Sequence, residues 1–287
     1  MKSLVSIVIP CYNHSKYVDE TIRSVIEQDY EQVELIVIDD GSTDDSVAVI
    51  TKLIVLCEDR FVRFEFRSRP NRGLCATLNE ALDWCQGEYL CCVASDDILM
   101  PDKTSKQVTY LARNPESVGV FGAFKFLGVK SKPKVNFNYK FDFNDILLHK
   151  HVLPAPTQLL RLDAVRKVGG FREGFIIEDW SMWLALTEDK GTLDYIGEVF
   201  AIYRRHDNNL SGKHEQMHEG RIQILNLYKE HKLYKEALAR ATLVHIHGIQ
   251  TENKVMALKE AFLLIRNYPR CIFSKSFFWL AIKMLRV

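Results

Sequence analysis

The first hundred residues alternate between short, nearly continuous apolar runs and stretches in which apolar residues recur at helical spacing. The apolar runs, rich in β-branched and aromatic residues, are residues 4–10, 33–39, 61–68 and 88–95. The stretches with helical spacing are residues 15–29, 43–56 and 73–85. Runs of this kind predict strands that are buried on both faces. Because strand and helix alternate, we expect a mostly parallel sheet with helices on both faces and right-handed crossover connections.

The pattern changes after about residue 115. Residues 117–128, SVGVFGAFKFLG, predict a pair of strands, and residues 136–160 predict mainly loops. RLDAVRKVGGF and EDWSMWLALTEDKG predict helices, and residues 213–265 are rich in helix-forming residues with few turn signals. We therefore expect an α/β region over residues 1–212 and a helical C-terminal extension over residues 213–287.

Composition and charge limit the classes of function. The 287 residues are 47% hydrophobic and 26% charged, which is typical of a globular protein with one large domain or one domain and an appendage. The net charge of +1 gives no general attraction to nucleic acid, so no nucleic-acid partner is expected. The seven cysteines include no CxxC pair and lie mostly in apolar segments, which predicts reduced thiols in the core.

The apolar segments also bear on location. The apolar stretch at the start is too short for a secretory signal, and no segment offers about 18 uninterrupted apolar residues for a membrane span. We therefore expect a cytoplasmic protein. Residues 266–287 contain five basic and no acidic residues, with apolar side chains at helical spacing on one side. They predict peripheral attachment to the inner face of the cytoplasmic membrane, the alternative being a helix packed on the protein's own core.

Polar clusters follow three of the four predicted strands. PCYNHSKY follows the first strand, DDGSTDDS the second and SDD the fourth. In a parallel sheet, ligands bind at the carboxyl ends of the strands. These three loops are therefore the candidate site.

The first of these loops argues against two common classes of α/β enzyme. It contains no glycine, whereas a dinucleotide-binding fold needs a Gly-rich loop there so that the backbone can approach a pyrophosphate. A sugar nucleotidyltransferase is expected to carry a Gly-rich loop with Arg or Lys at the same place, which is also missing. Tyr12 and Asn13 instead offer an aromatic face and an amide, which suit a flat base. The alternative is a simple turn in which Asn13 or Ser15 caps the next helix.

The second loop starts with two carboxylates, Asp39 and Asp40. Capping of the following helix accounts for residues 42–45 but not for this pair, which precedes the cap at the end of the strand. A carboxylate in that position can accept a hydrogen bond from the imide N–H of uracil or from a ribose hydroxyl. The alternative is that either aspartate holds the loop in place.

The third loop places Asp96 and Asp97 side by side at the end of a buried strand. Two carboxylates that face one site repel each other unless a cation neutralises them. Mg²⁺ or Mn²⁺ binds one or two protein carboxylates and completes its coordination with phosphate oxygens and water. We expect one of the two aspartates to bind the metal and the other to hold the sugar of a nucleotide, although Asp-Asp pairs also cap helices.

Longer stretches carry a family resemblance. SIVIPCYNHSKYVDETIRSVIEQDYEQVELIVIDDGSTDDS, NRGLCATLNEALDWCQGEYLCCVASDD, GGFRE, EDWSMWLAL and YRRH occur in this order within residues 3–210. The chain thereby resembles the family-2 inverting glycosyltransferases of the GT-A fold. The resemblance implies transfer of a sugar from a nucleotide-diphosphate donor, UDP in the first instance, to a glycan or lipid-linked acceptor in polysaccharide or glycolipid synthesis. It further implies a nucleotide-binding half over residues 1–100 and an acceptor half over residues 101–212.

The resemblance also implies roles for the residues of the three loops. Pro10, Tyr12 and Asp40 would contact the base, with Asp39 beside them. Asp96 would contact the ribose or a phosphate, and Asp97 would bind Mn²⁺ or Mg²⁺.

The chain departs from the family pattern at two positions. Ala94 stands where many members have the first Asp of the metal motif, so Asp96 and Asp97 must suffice. Leu78 stands where many members have an Arg before Asn79, which removes one expected contact to the donor.

The second half supplies a base and further charged groups. Inversion by single displacement needs a group that removes the proton of the acceptor hydroxyl. Glu178 and Asp179 open a predicted helix, and the resemblance assigns the base to Asp179. The alternative is an acidic pair that complements the helix dipole. In YRRH, Arg204 would neutralise the leaving diphosphate, and His206 would bind the metal or the diphosphate.

Two other classes of function stay open at this point. A catalytically inactive module could retain the nucleotide-sugar site without turnover, although Asp97 and Asp179 argue against it. A sugar nucleotidyltransferase is disfavoured by the first loop.

Overall fold

The computed structural model describes residues 2–129, 137–206, 210–273, 277, 278 and 280. The chain forms two compact units. The first is an α/β unit of residues 1–143, 152–174 and 178–205. The second is a helical unit of residues 144–151, 175–177 and 206–287. The boundary that the sequence predicts at residue 212 stays a prediction.

One sheet dominates the α/β unit. Within the described residues its nine strands are β1 Val5–Cys11, β2 Val33–Asp39, β3 Arg63–Ser68, β4 Tyr89–Cys92, β5 Ile98–Leu99, β6 Ser117–Phe126, β7 Tyr139–Phe141, β8 Leu159–Arg161 and β9 Thr192–Tyr203. The strand order is β3-β2-β1-β4-β8-β6-β9-β5, with β7 also paired to β9. The sheet is mixed, because β5, β7 and β8 pair with their neighbours in antiparallel fashion.

Six strands nevertheless share one direction. β1, β2, β3 and β4 are parallel to one another. β8 runs antiparallel to both β4 and β6, so β6 has the direction of β4, and β9 is parallel to β6. The carboxyl ends of β1, β2, β4 and β9 therefore lie at one edge of the sheet. This edge is where the polar clusters of the sequence are found.

Helices connect the strands and form the second unit. In the α/β unit they are α1 Val18–Ile26, α2 Ser46–Thr51, α3 Ile54–Arg60, α4 Leu74–Trp84, α5 Lys103–Arg113, α7 Leu162–Lys167 and α8 Glu178–Thr187. The short helix α6 Phe143–Leu147 lies at the junction of the two units along the chain. In the helical unit they are α9 His214–Leu225, α10 Tyr234–Ile249 and α11 Lys254–Asn267. The helical extension expected from residue 213 is confirmed.

The core of the α/β unit follows the apolar runs of the sequence. Every residue of β2 is buried, and β1 is buried except for Pro10. Val18, Ile22 and Val25 on one face of α1 pack into the same core. Continuous burial of both strand faces is the expected property of parallel strands covered by helices on both sides. The predicted α/β class is confirmed, as are the parallel strands expected over the first hundred residues.

The prediction of a strand pair over residues 117–128 is wrong, because β6 is one continuous strand. Gly119 and Gly122, which suggest turns in the sequence, are sites of close packing instead. A Cβ at Gly122 would lie 2.4 Å from Cδ2 of Phe200, and one at Gly119 would lie 2.5 Å from Cδ2 of Leu160. Glycine inside a strand also marks such close approaches, and here neighbouring side chains occupy the space.

Sequence analysis assigns no element to β9, which is the longest strand of the sheet. A charged residue, Asp194, interrupts its apolar pattern and is completely buried. Its carboxylate accepts hydrogen bonds from Ser117 Oγ, Tyr110 Oη and Thr192 Oγ1. A buried carboxylate that is fully hydrogen-bonded is compatible with a central strand. Two of these partners, Tyr110 and Ser117, come from distant positions, so the local sequence does not reveal the strand.

The remaining predictions concern cysteines and the C-terminal segment. Six of the seven cysteines are buried, one is half-buried, and none forms a disulfide, as expected for core thiols. Among the described residues, no helix combines the length and the apolar character needed to cross a bilayer. Most of segment 266–287 after residue 273 lies outside the described residues, so its amphipathic membrane helix stays a prediction. Leu280 is buried in the core of the helical unit, whereas Phe278 is exposed.

Candidate active site

Three loops at the carboxyl edge of the sheet hold one another in place. The loop after β1 binds the loop after β2: Asn13 N–H donates to Ser42 Oγ (2.8 Å), and Thr43 N–H donates to Asn13 Oδ1 (2.8 Å). It also reaches the loop after β4, where His14 Nδ1 lies 2.8 Å from Ser95 Oγ. The three polar clusters that the sequence singles out therefore form one continuous surface.

The first loop presents the residues expected to contact a base. Pro10 is half-buried within β1, and Tyr12 just beyond the strand is 48% exposed. Asn13 has a φ of 54°, a left-handed conformation that asparagine tolerates better than most residues. This conformation places its side-chain amide against Thr43. The aromatic face of Tyr12 is thus presented to solvent at the mouth of the sheet.

Asp39 and Asp40 are buried, and donors surround their carboxylates. Asp39 accepts hydrogen bonds from the backbone N–H and the hydroxyl of Ser42. Asp40 forms an ion pair with Arg69 and accepts hydrogen bonds from the backbone N–H groups of Arg72 (2.8 Å) and Gly73 (2.9 Å). Both aspartates therefore fix loops, which is the structural alternative that the sequence leaves open. A contact of either residue with a donor stays a prediction.

Sequence reasoning does not identify Arg69 as part of this site. Its guanidinium bridges Asp40 and Glu80 and also donates to the hydroxyl of Thr77. It thereby joins the ends of β2 and β3 to helix α4. The available signal is RSRPNRG after the third predicted strand, a cluster of turn residues and cations at the same edge of the sheet.

Asp96 and Asp97 occupy the turn between β4 and β5, and both are buried. The Asp97 N–H donates to the carbonyl of Ala94 (3.1 Å), and Thr21 Oγ1 donates to the carbonyl of Asp97 (2.7 Å). These bonds fix the backbone of the turn. The turn presents two carboxylates close together in a region from which water is largely excluded.

Among the residues that the structure describes, the Asp97 carboxylate accepts one hydrogen bond, from the backbone N–H of Arg204 (3.1 Å). Burial, and then the charge of Asp96, raise the pKa of Asp97 to about 7, against a smaller opposing effect of Arg204. At neutral pH the ionised form is therefore costly in the absence of a cation. This is the electrostatic environment that a divalent cation relieves.

The donor set around this turn fits a hard divalent cation. Carboxylate oxygens and imidazole nitrogens are accepted ligands of Mn²⁺, and Mg²⁺ prefers the oxygens. His14 and Asp96 place potential ligand atoms within 4.8 Å of each other. His206 follows directly on Arg205, the last residue of the α/β unit, and is two residues from the Arg204 amide that binds Asp97. His14 is a further residue that sequence reasoning does not single out.

Arg204 is held by several partners at the end of β9. Its Nε donates to the Asp96 carbonyl (3.0 Å), its guanidinium pairs with Glu20, and it lies 4.9 Å from the ring centroid of Tyr17. Together with the bond from its N–H to Asp97, these contacts allow Arg204 to hold the Asp96–Asp97 turn in position. Its predicted role at the leaving diphosphate stays a prediction.

Glu178 and Asp179 open helix α8, as predicted. The carboxylate of Asp179 accepts the N–H of Trp180 (2.6 Å). Burial, and then the charge of Asp179, raise the pKa of Glu178 to about 8. The Glu178 charge in turn contributes to the raised pKa of the thiols of Cys75 and Cys92, which lie at the start of α4 and the end of β4. This acidic pair therefore lies in the region of the carboxyl end of β4.

The glycine-rich turn before α8 is fixed by Asn79. The side-chain amide of Asn79 donates to the carbonyl of Phe171 (2.8 Å) and accepts from its N–H (2.8 Å). Gly170 has a φ of 76°, and a Cβ there would lie 2.7 Å from Asn79 Oδ1. Only glycine fits this contact without displacement. Asn79 therefore ties α4 to the turn that leads towards Asp179.

Comparison with known proteins identifies the relatives of this chain. A family model described as "Glycosyl transferase family 2" matches residues 6–169, which is more than half of the chain. An "Uncharacterized glycosyltransferase" of Haemophilus influenzae is 26% identical, with 92% of this chain and 87% of that protein covered. The "O-antigen biosynthesis glycosyltransferase WbnJ" of Escherichia coli is 27% identical, with 72% of this chain and 81% of that protein covered.

Solved structures are similar over almost the whole chain. TarS 1–349 of S. aureus, solved in complex with UDP-GlcNAc, matches with a TM-score of 0.67 and 18% identity, covering 94% of this chain and 81% of that one. The mannosyltransferase PcManGT of Pyrobaculum calidifontis, solved with GDP-Man and Mn²⁺, matches with a TM-score of 0.64 and 16% identity, covering 100% of this chain and 88% of that one. These likenesses confirm the fold that the sequence predicts.

Proposed function

The chain belongs to glycosyl transferase family 2 and is a glycosyltransferase, and we propose that it transfers a sugar from a UDP-sugar to an acceptor hydroxyl with inversion and with the help of Mn²⁺ or Mg²⁺. One observation carries the proposal. Asp96 and Asp97 are buried side by side at the carboxyl edge of the sheet, and the raised pKa of Asp97 indicates a negative charge that the protein alone compensates poorly. Such a site favours a cation together with its anionic ligand.

Asp97 is the proposed central metal ligand and His206 a proposed second ligand, and Asp96 is proposed to contact the ribose or a phosphate. When bound, the cation supplies positive charge that neutralises the diphosphate of the leaving nucleotide. The hydrogen bond from Arg204 N–H orients the Asp97 carboxylate towards this position. Tyr12 offers its exposed aromatic face to the base, and Asp39 and Asp40 keep the neighbouring loops rigid.

Asp179 is the proposed base that removes the proton of the acceptor hydroxyl. Burial, and then the charge of Asp179, raise the pKa of the neighbouring Glu178 to about 8. Asp179 lies in the first turn of α8, where the helix dipole stabilises a carboxylate in its ionised form. Deprotonation on the face opposite the leaving nucleotide is what single displacement requires.

The relatives support both the donor class and the pathway, but they do not agree on the nucleotide. TarS was solved with UDP-GlcNAc, whereas PcManGT was solved with GDP-Man and Mn²⁺. WbnJ carries a name from O-antigen biosynthesis. We therefore place this chain in polysaccharide or glycolipid synthesis, with a glycan or lipid-linked glycan as acceptor.

A screen for hydrolysis of UDP-, GDP- and dTDP-sugars, with Mn²⁺ and with excess chelator, tests the proposal. We expect UDP release from a UDP-sugar that requires metal and is lost in Asp97→Asn. Once a product is obtained, NMR of its anomeric configuration is expected to show inversion. Binding of UDP-sugar without turnover under any condition would favour an inactive binding module, and retention of configuration would exclude single displacement.

A further inference from the structure

Helix α11 in the helical unit has apolar side chains on its buried face and on a neighbouring exposed face. Ala257, Ala261 and Leu264 are buried against α10 and form part of the core of this unit. On the neighbouring face, whose centre lies about 110° around the helix, Val255 is 79% exposed and Phe262 is 67% exposed. A helix that packs on one core needs one apolar face, so the second face is unexplained by the fold of this unit.

The exposed apolar residues of α11 form one stripe. Val255, Leu258, Phe262 and Ile265 are all exposed, at the spacing i, i+3, i+7 and i+10. At 100° per residue, these positions fall within an arc of about 80° on the helix surface. Single exposed apolar residues are common on proteins, but a contiguous stripe marks an interaction surface. We refer to these four residues as the α11 stripe.

Cations border the α11 stripe. By helical position, Lys259 and Arg266 lie on one side of the stripe and Lys254 on the other, whereas Glu260 lies farther around the helix. Residues 229–270 contain eight Lys and Arg but four Glu and no Asp, in a chain whose total charge is +1. The surface that carries the stripe is therefore locally cationic.

A groove of about 580 Å³ begins where α11 ends. Its interior includes the side chains of Leu243 and Tyr268, and Lys232, Lys235 and Arg270 also line it. Among the described residues that line it, the single acid, Glu236, is paired with Arg240. The groove thus combines an apolar interior with uncompensated positive charge, which suits a phosphate carried on an apolar chain.

We propose that the α11 stripe and the adjoining groove form a docking surface for an anionic phospholipid bilayer. Phe262 and Val255 lie among the acyl chains near the interface, the bordering cations contact lipid phosphates, and the groove holds a lipid headgroup. A second copy of the chain fits the stripe less well, because a symmetric dimer would bring Lys254, Lys259 and Arg266 of one copy towards their counterparts. The surface shares Arg266 and Arg270 with the segment 266–287 for which the sequence predicts membrane attachment, and it adds the α11 stripe and residues of α10.

Flotation of the full-length protein with vesicles tests the apolar part of the proposal. Vesicles of phosphatidylcholine with about one third phosphatidylglycerol are compared with pure phosphatidylcholine vesicles at low salt, without donor or acceptor. The double variant Val255→Ser/Phe262→Ser is expected to lower the partition coefficient for anionic vesicles by about tenfold or more. The matched control Val55→Ser/Val62→Ser removes side chains that are 67% and 57% exposed in the α/β unit, and it is expected to bind like the intact protein.

Charge variants test the headgroup contacts. Lys235→Gln/Arg270→Gln is expected to reduce binding to anionic vesicles by about fivefold or more, with little effect of Lys52→Gln/Arg113→Gln, which removes two exposed cations elsewhere. Intact protein that stays unbound to anionic vesicles at low salt would overturn the proposal, as would equal losses in variants and controls. A dimer that Val255→Ser/Phe262→Ser converts to monomer, without vesicle binding by either form, would assign the stripe to a second copy. Donor hydrolysis is expected to be unchanged in all four variants, so this result is independent of the proposed catalysis.

Discussion

The two Asp-Asp pairs of this protein lie at the same edge of one sheet but have different surroundings. Asp39 ends β2 and Asp40 follows it, whereas Asp96 and Asp97 lie in the turn after β4, and all four residues are buried. The first pair is met by hydroxyl, backbone N–H and guanidinium donors. In the second pair, the Asp97 carboxylate accepts one backbone N–H within the described part of the chain, and its pKa is raised to about 7.

This difference separates a structural carboxylate from one that is available to a ligand. Donors around Asp40 offset the cost of burying its charge and lock the loop of residues 69–73. Asp97 lacks such compensation, so its ionised form gains most from an added cation. The donors around the carboxylates, rather than the Asp-Asp motif itself, therefore favour the second pair as the proposed metal site. Substitutions in the two pairs should have opposite consequences for activity and stability.

Asp97→Ala is expected to have the largest effect. Loss of the central metal ligand should lower turnover by about 10³-fold or more and abolish Mn²⁺-dependent UDP binding. The fold should persist, because the carboxylate makes few contacts. Donor hydrolysis, calorimetric UDP binding and circular dichroism measure these three properties. Asp83→Ala, which removes an exposed aspartate of α4, is the control. Full activity of Asp97→Ala, or of the intact protein in excess chelator, would contradict the metal assignment.

Asp179→Asn is expected to lower the rate of transfer by about 100-fold or more, with little change in donor affinity. The amide keeps the size of the side chain and can still accept the N–H of Trp180, but it cannot remove a proton. Single-turnover transfer and a separate donor titration distinguish the two effects. Asp189→Asn, an exposed position after the same helix, serves as the control. If donor affinity falls together with the rate, Asp179 belongs to the donor site instead.

Asp40→Ala is expected to act mainly on stability. It leaves the guanidinium of Arg69 with Glu80 as its remaining acidic partner and removes the acceptor of two backbone N–H groups. We expect a loss of about 3 kcal/mol in the free energy of unfolding, measured by urea denaturation. Asp97→Asn should have no such cost, since it removes a poorly compensated charge. Equal destabilisation by both substitutions would remove the distinction between the two pairs.

Sequence patterns predict the parallel strands of the first hundred residues because each of these strands carries its own signal. The four strands up to residue 95 are continuous apolar runs, and burial on both faces is a property that each run shows locally. β6 and β9 do not show it, since Gly122 makes room for Phe200 and Asp194 is satisfied by residues from α5 and β6. Side chains that are distant in sequence determine these two strands.

For the candidate site, the sequence predicts individual carboxylates but not the contacts that join the loops. A proposed role that needs one type of side chain in one loop can be recognised from a short sequence motif. The carboxylates of Asp97 and Asp179 are examples. The contacts of Arg69 with Asp40 and of His14 with Ser95 join separate loops, so no spacing rule reveals them. Nor does the motif indicate that burial raises the pKa of Glu178 to about 8.

The smallest expected effect is a pH-dependent stabilisation by metal. Because the pKa of Asp97 in the folded protein is about 7, above its ordinary value near 4, the folded state holds this proton more tightly than the unfolded chain does. Stability without metal should therefore fall as pH rises between about 5 and 7. A cation binds the ionised carboxylate, so the increase in Tm caused by Mn²⁺ should grow over the same interval, reaching about 3 °C.

Thermal melts at several pH values, with Mn²⁺ and with chelator, measure this effect. Glu178 also has a raised pKa and contributes a fall in stability of the same sign, but this contribution persists in Asp97→Asn. The difference between the intact protein and Asp97→Asn therefore isolates Asp97. A Tm increase by Mn²⁺ that is independent of pH, or that survives in Asp97→Asn, would place the cation elsewhere. The contrast between the two aspartate pairs would then not reflect metal binding.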